Sequence, residues 1–182
     1  ACRQLASWSD HASTRHLRLA VNISALQFMQ PDFVDRLRDL LVLGAFDPSK
    51  LTLELSERLV NKEPELVLAK VQQAQALGVS IAMDNFGTGL SSLTNLRRLP
   101  LRQLKIDQSF IRNVADDPNN MVVVQTIIAM ATALGLEVVA EGVESEANRA
   151  ILEHNGCAAY QGYLFSRPLP LAEFEAKIRV GW

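Results

Sequence analysis

The chain has 182 residues, 48% of them apolar and 21% charged, with a formal net charge of -2. That length and balance describe an ordinary globular domain with a sizeable core and exclude disordered or fibrous classes, while the near-neutral charge excludes a general pull on DNA or on anionic membranes. Cys2 and Cys157 stand far apart with no CxxC or Cys/His cluster, which argues against a disulfide framework or zinc site and for reduced thiols in a cytoplasmic protein.

The opening text, ACRQLASWSDHASTRH, has no signal-peptide core and reads as the tail of a helix. Six apolar, β-rich runs follow, at 17–24, 51–56, 79–86, 101–107, 137–142 and 158–166. Helical patterns fill the intervals. The first starts at Pro31, carries Phe33, Leu37, Leu40 and Leu41 on one face and stops at Gly44. The second runs from Pro64 through Val67, Val71, Ala74 and Leu77 to Gly78, and the third from Pro118 through Val124, Ile127, Ile128, Ala131 and Leu134 to Gly135. Residues 94–100 read as a short helix or turn, Ser145 as the N-cap of a helix ending at Gly156, and Pro170 as the start of a last short one. No apolar run reaches transmembrane length, so no membrane contact is expected from this segment.

Alternating strands and helices predict an α/β fold with a parallel sheet in one domain over 1–182. An open doubly wound sheet would carry a glycine-rich fingerprint after its first strand, and VNISALQF has none. A TIM-like (β/α) barrel is therefore favoured, with this chain supplying about six of the eight strands such a barrel has.

Each apolar run carries a lone polar residue toward its C-terminal end: Asn22, Glu54, Asp84, Lys105, Glu141 and Gln161. One such residue is more often a strand terminator than a ligand, but six from separate strands share one rim in a parallel β/α fold. Oxygen donors around one pocket suit magnesium or manganese, and the three histidines, His11, His16 and His154, fall in helix or loop text and read as surface residues. A divalent cation would neutralise the clustered carboxylates, and Asp84 followed by Asn85 could reach two adjacent ions, an apparatus suited to phosphodiester hydrolysis. Lys105 would favour an anionic substrate; a Schiff-base role is the weaker reading, because nearby carboxylates raise its pKa rather than lower it. Glu57, just past the second strand, either anchors a neighbouring loop through backbone N–H groups or faces solvent at a helix start.

The segments VNISA, LELSE, MDNFGTGLSSL, LKIDQSF, VVAEGVE and QGYLFSRPL, in that order along nearly the whole chain, resemble the EAL domain family. Active members of that family hydrolyse the bacterial second messenger cyclic di-GMP to linear pGpG. The resemblance implies Asn22, Glu54 and Asp84 as ligands of a first metal. It places Asn85 where the family has a second aspartate serving a second metal, a weakened position here. It implies Lys105 at the attacking water or scissile phosphate, Asp107 as a nearby water-holding carboxylate, and Glu141 in second-metal and general-base chemistry. Glu144 and Gln161 match supporting or ligand-contacting positions, and Glu57 matches the anchor of the loop after Asp84, which in the family links the metal site to dimerisation. A homodimer and an attached sensor or GGDEF domain are implied in the same way. Leu90, where the family often has tyrosine, implies a packing change. The Glu-Ala-Leu segment itself is absent, so the resemblance implies that the first two strands and one metal ligand precede Ala1 or come from elsewhere, or that the chain is a remnant. A complete domain is thus expected to be a phosphodiesterase, and this chain alone a binding module for cyclic di-GMP or for a protein partner.

Overall fold

The structure is a computed structural model describing residues 1–89 and 93–179; Leu90 lies outside the described residues. In chain order the elements are α1 (Cys2–Ser9), β1 (Leu19–Asn22), α2 (Ala25–Phe28), α3 (Phe33–Gly44), a 3-10 turn (Pro48–Lys50), β2 (Leu51–Ser56), α4 (Glu57–Lys62) and α5 (Pro64–Ala76). They continue with β3 (Ser80–Phe86), α6 (Leu93–Arg98), β4 (Gln103–Ile106), α7 (Gln108–Ile111), α8 (Pro118–Ala133), β5 (Glu137–Glu141), α9 (Glu146–His154), β6 (Ala159–Gln161) and α10 (Leu171–Arg179).

The six strands form one parallel sheet in sequence order, β1 to β6. Every crossover carries helix, so all strand C-termini lie along one rim. Alternation along the pleat sorts the side chains. Leu51, Leu53 and Leu55 of β2 are buried on one face, as are Leu104 and Ile106 of β4, whereas Glu54 and Lys105 alternate with them. The apolar face packs under the helices, which supply Val67, Val71 and Ala74 from α5 and Val124, Ile127, Ile128 and Ala131 from α8. The other face carries the polar strand ends.

The helix faces follow the expected spacing with one correction. Leu40 is half exposed, not buried with Phe33, Leu37 and Leu41. It borders an apolar groove between α3 and the β1–β2 edge, where Val21, Leu51 and Leu53 form the opposite wall. The left-handed residue ending α3 is Ala45 (φ 48°), one position after the glycine expected to stop it. A buried cation also sits where the spacing of α5 offered only apolar text. Lys70 Nζ donates to the carbonyls of Phe28 (2.9 Å) and Gln30 (2.5 Å), tying the segment after β1 to α5.

The last strand is shorter than the apolar run at 158–166 that announced it. Backbone pairing stops at Gln161, after which Gly162 crosses the backbone of Val143 so closely that no Cβ fits. Val143 N–H donates to the Gln161 carbonyl and Leu164 N–H to the Val143 carbonyl, which turns the chain out of the sheet. The terminal helices meet across the molecule: Gln4 Nε2 and Trp8 Nε1 both donate to Glu175 Oε1, with the Trp8 and Phe174 rings 5.7 Å apart.

Candidate active site

The rim gathers its charge around one lysine. Lys105, near the end of β4 and 5% exposed, places Nζ 2.7 Å from Glu54 Oε1, 2.7 Å from Glu141 Oε1 and 3.7 Å from Asp84 Oδ1. These four groups come from β2, β3, β4 and β5, so neighbouring strands deliver them to one point. Burial pulls the Lys105 ammonium pKa down, but the hydrogen bonds and charges of Glu141 and Glu54 outweigh it and leave it raised. Burial raises the Glu141 carboxyl, and the charges of Asp84 and Glu54 push the same way against the lowering pull of Lys105.

Asp84 is poised differently. Its Oδ1 is buried without a hydrogen-bond partner, while its Oδ2 accepts from Asn85 Nδ2 at 2.8 Å. An orphaned carboxylate oxygen beside Glu54 is what a hard divalent cation would complete, and the donor chemistry of the cluster fits one. As they stand, the carboxylates close on the ammonium instead; among the described residues no three His, Cys, Asp or Glu side chains are arranged around a metal position.

A bulge explains how adjacent residues can both serve the rim. The β3–β4 register shifts between Met83 and Phe86, and Asn85 adopts φ 54°. That left-handed conformation suits asparagine better than most side chains. It breaks the strand alternation, so Met83, Asp84 and Phe86 are all buried and Asn85 remains partly exposed. Beyond it, Glu57 settles the two readings left open for it. It begins α4 yet is 1% exposed, and its Oε2 accepts from the N–H groups of Gly87 (2.9 Å) and Gly89 (3.2 Å). An added Cβ at Gly89 would lie 2.8 Å from Glu57 Oε1, so the loop and the carboxylate approach as closely as glycine permits.

The other expected residues lie further out. Asn22 ends β1 opposite Glu54 in register and is exposed. Asp107 caps α7, accepting from Ser109 N–H at 2.8 Å. Gln161 ends β6 in register with Glu141 and is exposed. Glu144 follows β5, with Oε1 3.6 Å from Arg112 Nε. Gln161, Glu144 and Glu141 share a cavity of about 280 Å³ with Gln108, Arg112 and Tyr163. These last three were missed by sequence reasoning. The available signal was the i, i+4 spacing of Gln108 and Arg112 immediately after β4, which puts both on one side of α7.

Comparison with known proteins identifies the family. The family described as EAL domain matches residues 1–168. The bifunctional diguanylate cyclase/cyclic di-GMP phosphodiesterase MucR of Pseudomonas aeruginosa is 42% identical over 180 residues, 98% of this chain and 26% of that protein. The cyclic di-GMP phosphodiesterase NbdA of the same organism is 44% identical over 179 residues, 98% of this chain and 23% of that protein. The chain thus spans about a quarter of the length of these relatives. Among solved structures, the MucR phosphodiesterase in complex with cyclic di-GMP superposes with a TM-score of 0.92 at 41% identity, covering 96% of this chain and 70% of that one. By its sequence motifs, its parallel β/α architecture and these matches, the chain belongs to the EAL domain family.

Proposed function

We propose that this rim binds cyclic di-GMP and, in the complete domain, hydrolyses one of its phosphodiesters to give linear pGpG. The observation that carries the reading is the convergence of Glu54, Asp84 and Glu141 on Lys105, in a chain that superposes on a phosphodiesterase holding that ligand.

Glu54 and Asp84, with Asn22 at the neighbouring strand end, would hold a magnesium or manganese ion. When bound, that ion supplies charge neutralisation at the phosphate and acidifies a water. Glu141 is placed to take a proton from the attacking water, and its raised pKa makes it a stronger base than an ordinary carboxylate. Water oxygen bonds to phosphorus while the bond from phosphorus to the ribose O3′ breaks; O3′ takes a proton from solvent water and leaves as a hydroxyl, and the phosphate stays on the 5′ oxygen. Lys105, fixed between two carboxylates, offers its ammonium to the charge that grows on the phosphoryl oxygens. Asp107 orders water at the start of α7, Glu144 and Gln161 support the ligand, and Glu57 holds the loop that follows Asp84. The protein acts in the cytoplasm as a homodimer, joined to a sensor or GGDEF domain.

A second reading has its own observation. Asn85 donates to Asp84 Oδ2 where a carboxylate would repel it. That contact stabilises the rim without a second cation and favours a receptor that binds cyclic di-GMP without cleaving it. Incubation of the full-length protein that carries this domain, and of its Asn85→Asp variant, with cyclic di-GMP and manganese, followed by chromatography for pGpG, separates the two. Turnover in either protein supports the hydrolase; turnover only in the variant places the defect at Asn85. Ligand binding with no pGpG from either leaves the receptor reading standing and refutes the hydrolase. Absence of binding refutes both.

A further inference from the structure

Besides Lys105, one more ammonium is buried among the described residues, that of Lys70 at 7% exposure, and the chemistry proposed for the rim gives it no part. We infer that Lys70 is a positioning residue. From α5 it grips the connector after β1, fixes Asn22 relative to Glu54, and so sets the affinity of the cation position those two side chains share. The inference rests on the reading of Asn22 and Glu54 as holders of a divalent cation.

Stability alone does not call for a lysine at this position. Burying an ammonium is expensive, and a well-packed apolar side chain in place of buried charge is often neutral or favourable. Lys70 forms no ion pair among the described residues. Its Nζ instead donates to the Phe28 carbonyl at 2.9 Å and the Gln30 carbonyl at 2.5 Å, and lies 5.9 Å from the centroid of the Phe28 ring. Phe28 ends α2, where helix carbonyls lack intrahelical partners. The Gln30 carbonyl also accepts from Phe33 N–H at 3.2 Å, at the entry to α3. What the ammonium adds over an apolar side chain is a fixed separation and direction for these two carbonyls.

The grip joins two βα units. Asn22 and Glu54 stand in register across β1 and β2, and Ile23 N–H donates to the Glu54 carbonyl at 3.0 Å. Beyond that bond the connector is held within its own unit: Ser24 Oγ accepts from Gln27 N–H at 3.2 Å, and the Phe28 and Phe33 ring centroids are 5.0 Å apart. Lys70 comes from α5, a helix of the unit whose strand β2 carries Glu54. It is therefore a second tie between the units, at the far end of the connector from the Ile23–Glu54 bond. One tie leaves a hinge, and two fix an orientation.

Asn22 depends on that orientation. Its side chain is exposed and makes no hydrogen bond to another described residue, so its placement follows its backbone. Glu54, by contrast, is buried and held by Lys105. A bound cation tolerates errors of about 0.2 Å in its ligand distances. Freedom in the connector therefore weakens cation binding through Asn22 and leaves Glu54 in place.

The test measures manganese affinity by calorimetry in the full-length protein that carries this domain, with amide exchange of residues 23–30 followed by mass spectrometry. Lys70→Met should weaken manganese binding by about tenfold, the low end of the loss seen when a group that orients a metal ligand is removed. Exchange across 23–30 should quicken in the same variant without any metal present. Asn22→Ala should weaken binding at least as much, and Lys70→Met combined with Asn22→Ala no further, since the lysine acts through the asparagine. Val71→Ala opens a cavity on the same helix at a fully buried position but touches neither carbonyl, and should keep the wild-type affinity. If Lys70→Met does not stay folded, Lys70→Gln, which loses the charge and keeps an N–H donor, is read by the same criteria. Wild-type affinity in the Lys70 variant, additive losses in the double variant, or an equal loss in Val71→Ala overturns the positioning role and leaves the cation reading intact. A wild type that binds no manganese rejects the cation reading, and this inference with it.

Discussion

Replacing Lys105 with methionine gives the sharpest test of the site's electrostatics. The substitution keeps most of the side-chain length and removes the positive charge that faces Glu54, Glu141 and Asp84 together among the described contacts. Lys105 and Glu54 are each 6% exposed at the side chain and Glu141 16%, so solvent does little to screen what is left. Removing one partner of a buried ion pair costs about 3–5 kcal/mol, mostly because the remaining charge stays buried. For a domain of this size that converts to a fall in Tm of roughly 6–20 °C. The pH dependence between pH 5 and 7 should steepen as well. Lys105 has a raised pKa, so in the wild type its contribution is complete below the ordinary lysine value and is lost as pH rises through the raised one. In the variant Glu141 loses the one influence that lowered it, and burial with two carboxylate neighbours drives it higher. The native variant then binds protons more readily than the unfolded chain, so its stability should rise as pH falls from 7 toward 5. Magnesium should raise the Tm of Lys105→Met more than that of wild type, since the carboxylates no longer have an internal cation. Urea melts across pH 5–8, with and without magnesium, measure all of this. A variant within about 1 kcal/mol of wild type at pH 7, an exposed-pair value, would refute the buried cluster.

Glu57→Ala removes the acceptor for Gly87 and Gly89 N–H and should cost about 2–3 kcal/mol, with faster amide exchange at those two glycines as the local readout; protection unchanged there would contradict the anchoring role. Gly162→Ala forces a methyl group into the Val143 backbone, where no side chain can move aside, and should destabilise by about 3 kcal/mol or more, read as a lowered urea midpoint or loss of soluble protein. Wild-type stability in Gly162→Ala would show that the β5–β6 crossing is looser than described.

The elements were legible because each βα unit is punctuated locally. Pro64 and Pro118 open α5 and α8 as read from the sequence, and β2 occupies 51–56 without adjustment. The end of β6 was not legible. Tyr163, Leu164 and Phe165 have strand-like text, and only the close crossing of Gly162 over Val143, a contact between distant residues, ends the pairing. The rim followed from one polar residue per strand end, but its hierarchy did not. Burial separates Glu54, Asp84 and Lys105 from exposed Asn22 and Gln161, and burial depends on which neighbours cover a strand end rather than on the strand's own sequence. Lys70 makes the same point: a lysine among apolar helix positions was invisible as a core residue until two carbonyls were found to receive it.

Charge balance at the rim links the lysine cluster to Asn85. Glu54, Asp84 and Glu141 contribute three negative charges and Lys105 one positive, leaving two, which one divalent cation neutralises. An aspartate at position 85 would add a third and make room for part of a second ion. Asn85 adds none, and its amide N–H is already committed to Asp84 Oδ2. Under the proposed function, the charge that a second ion would require would come from the two phosphates of the cyclic dinucleotide. On the proposed function, occupancy of a second cation position would be coupled to dinucleotide binding, where an aspartate would let the ion load first. On that proposal, the order of assembly, more than the fold or the lysine cluster, would separate a site prepared to cleave from one completed only by what it binds.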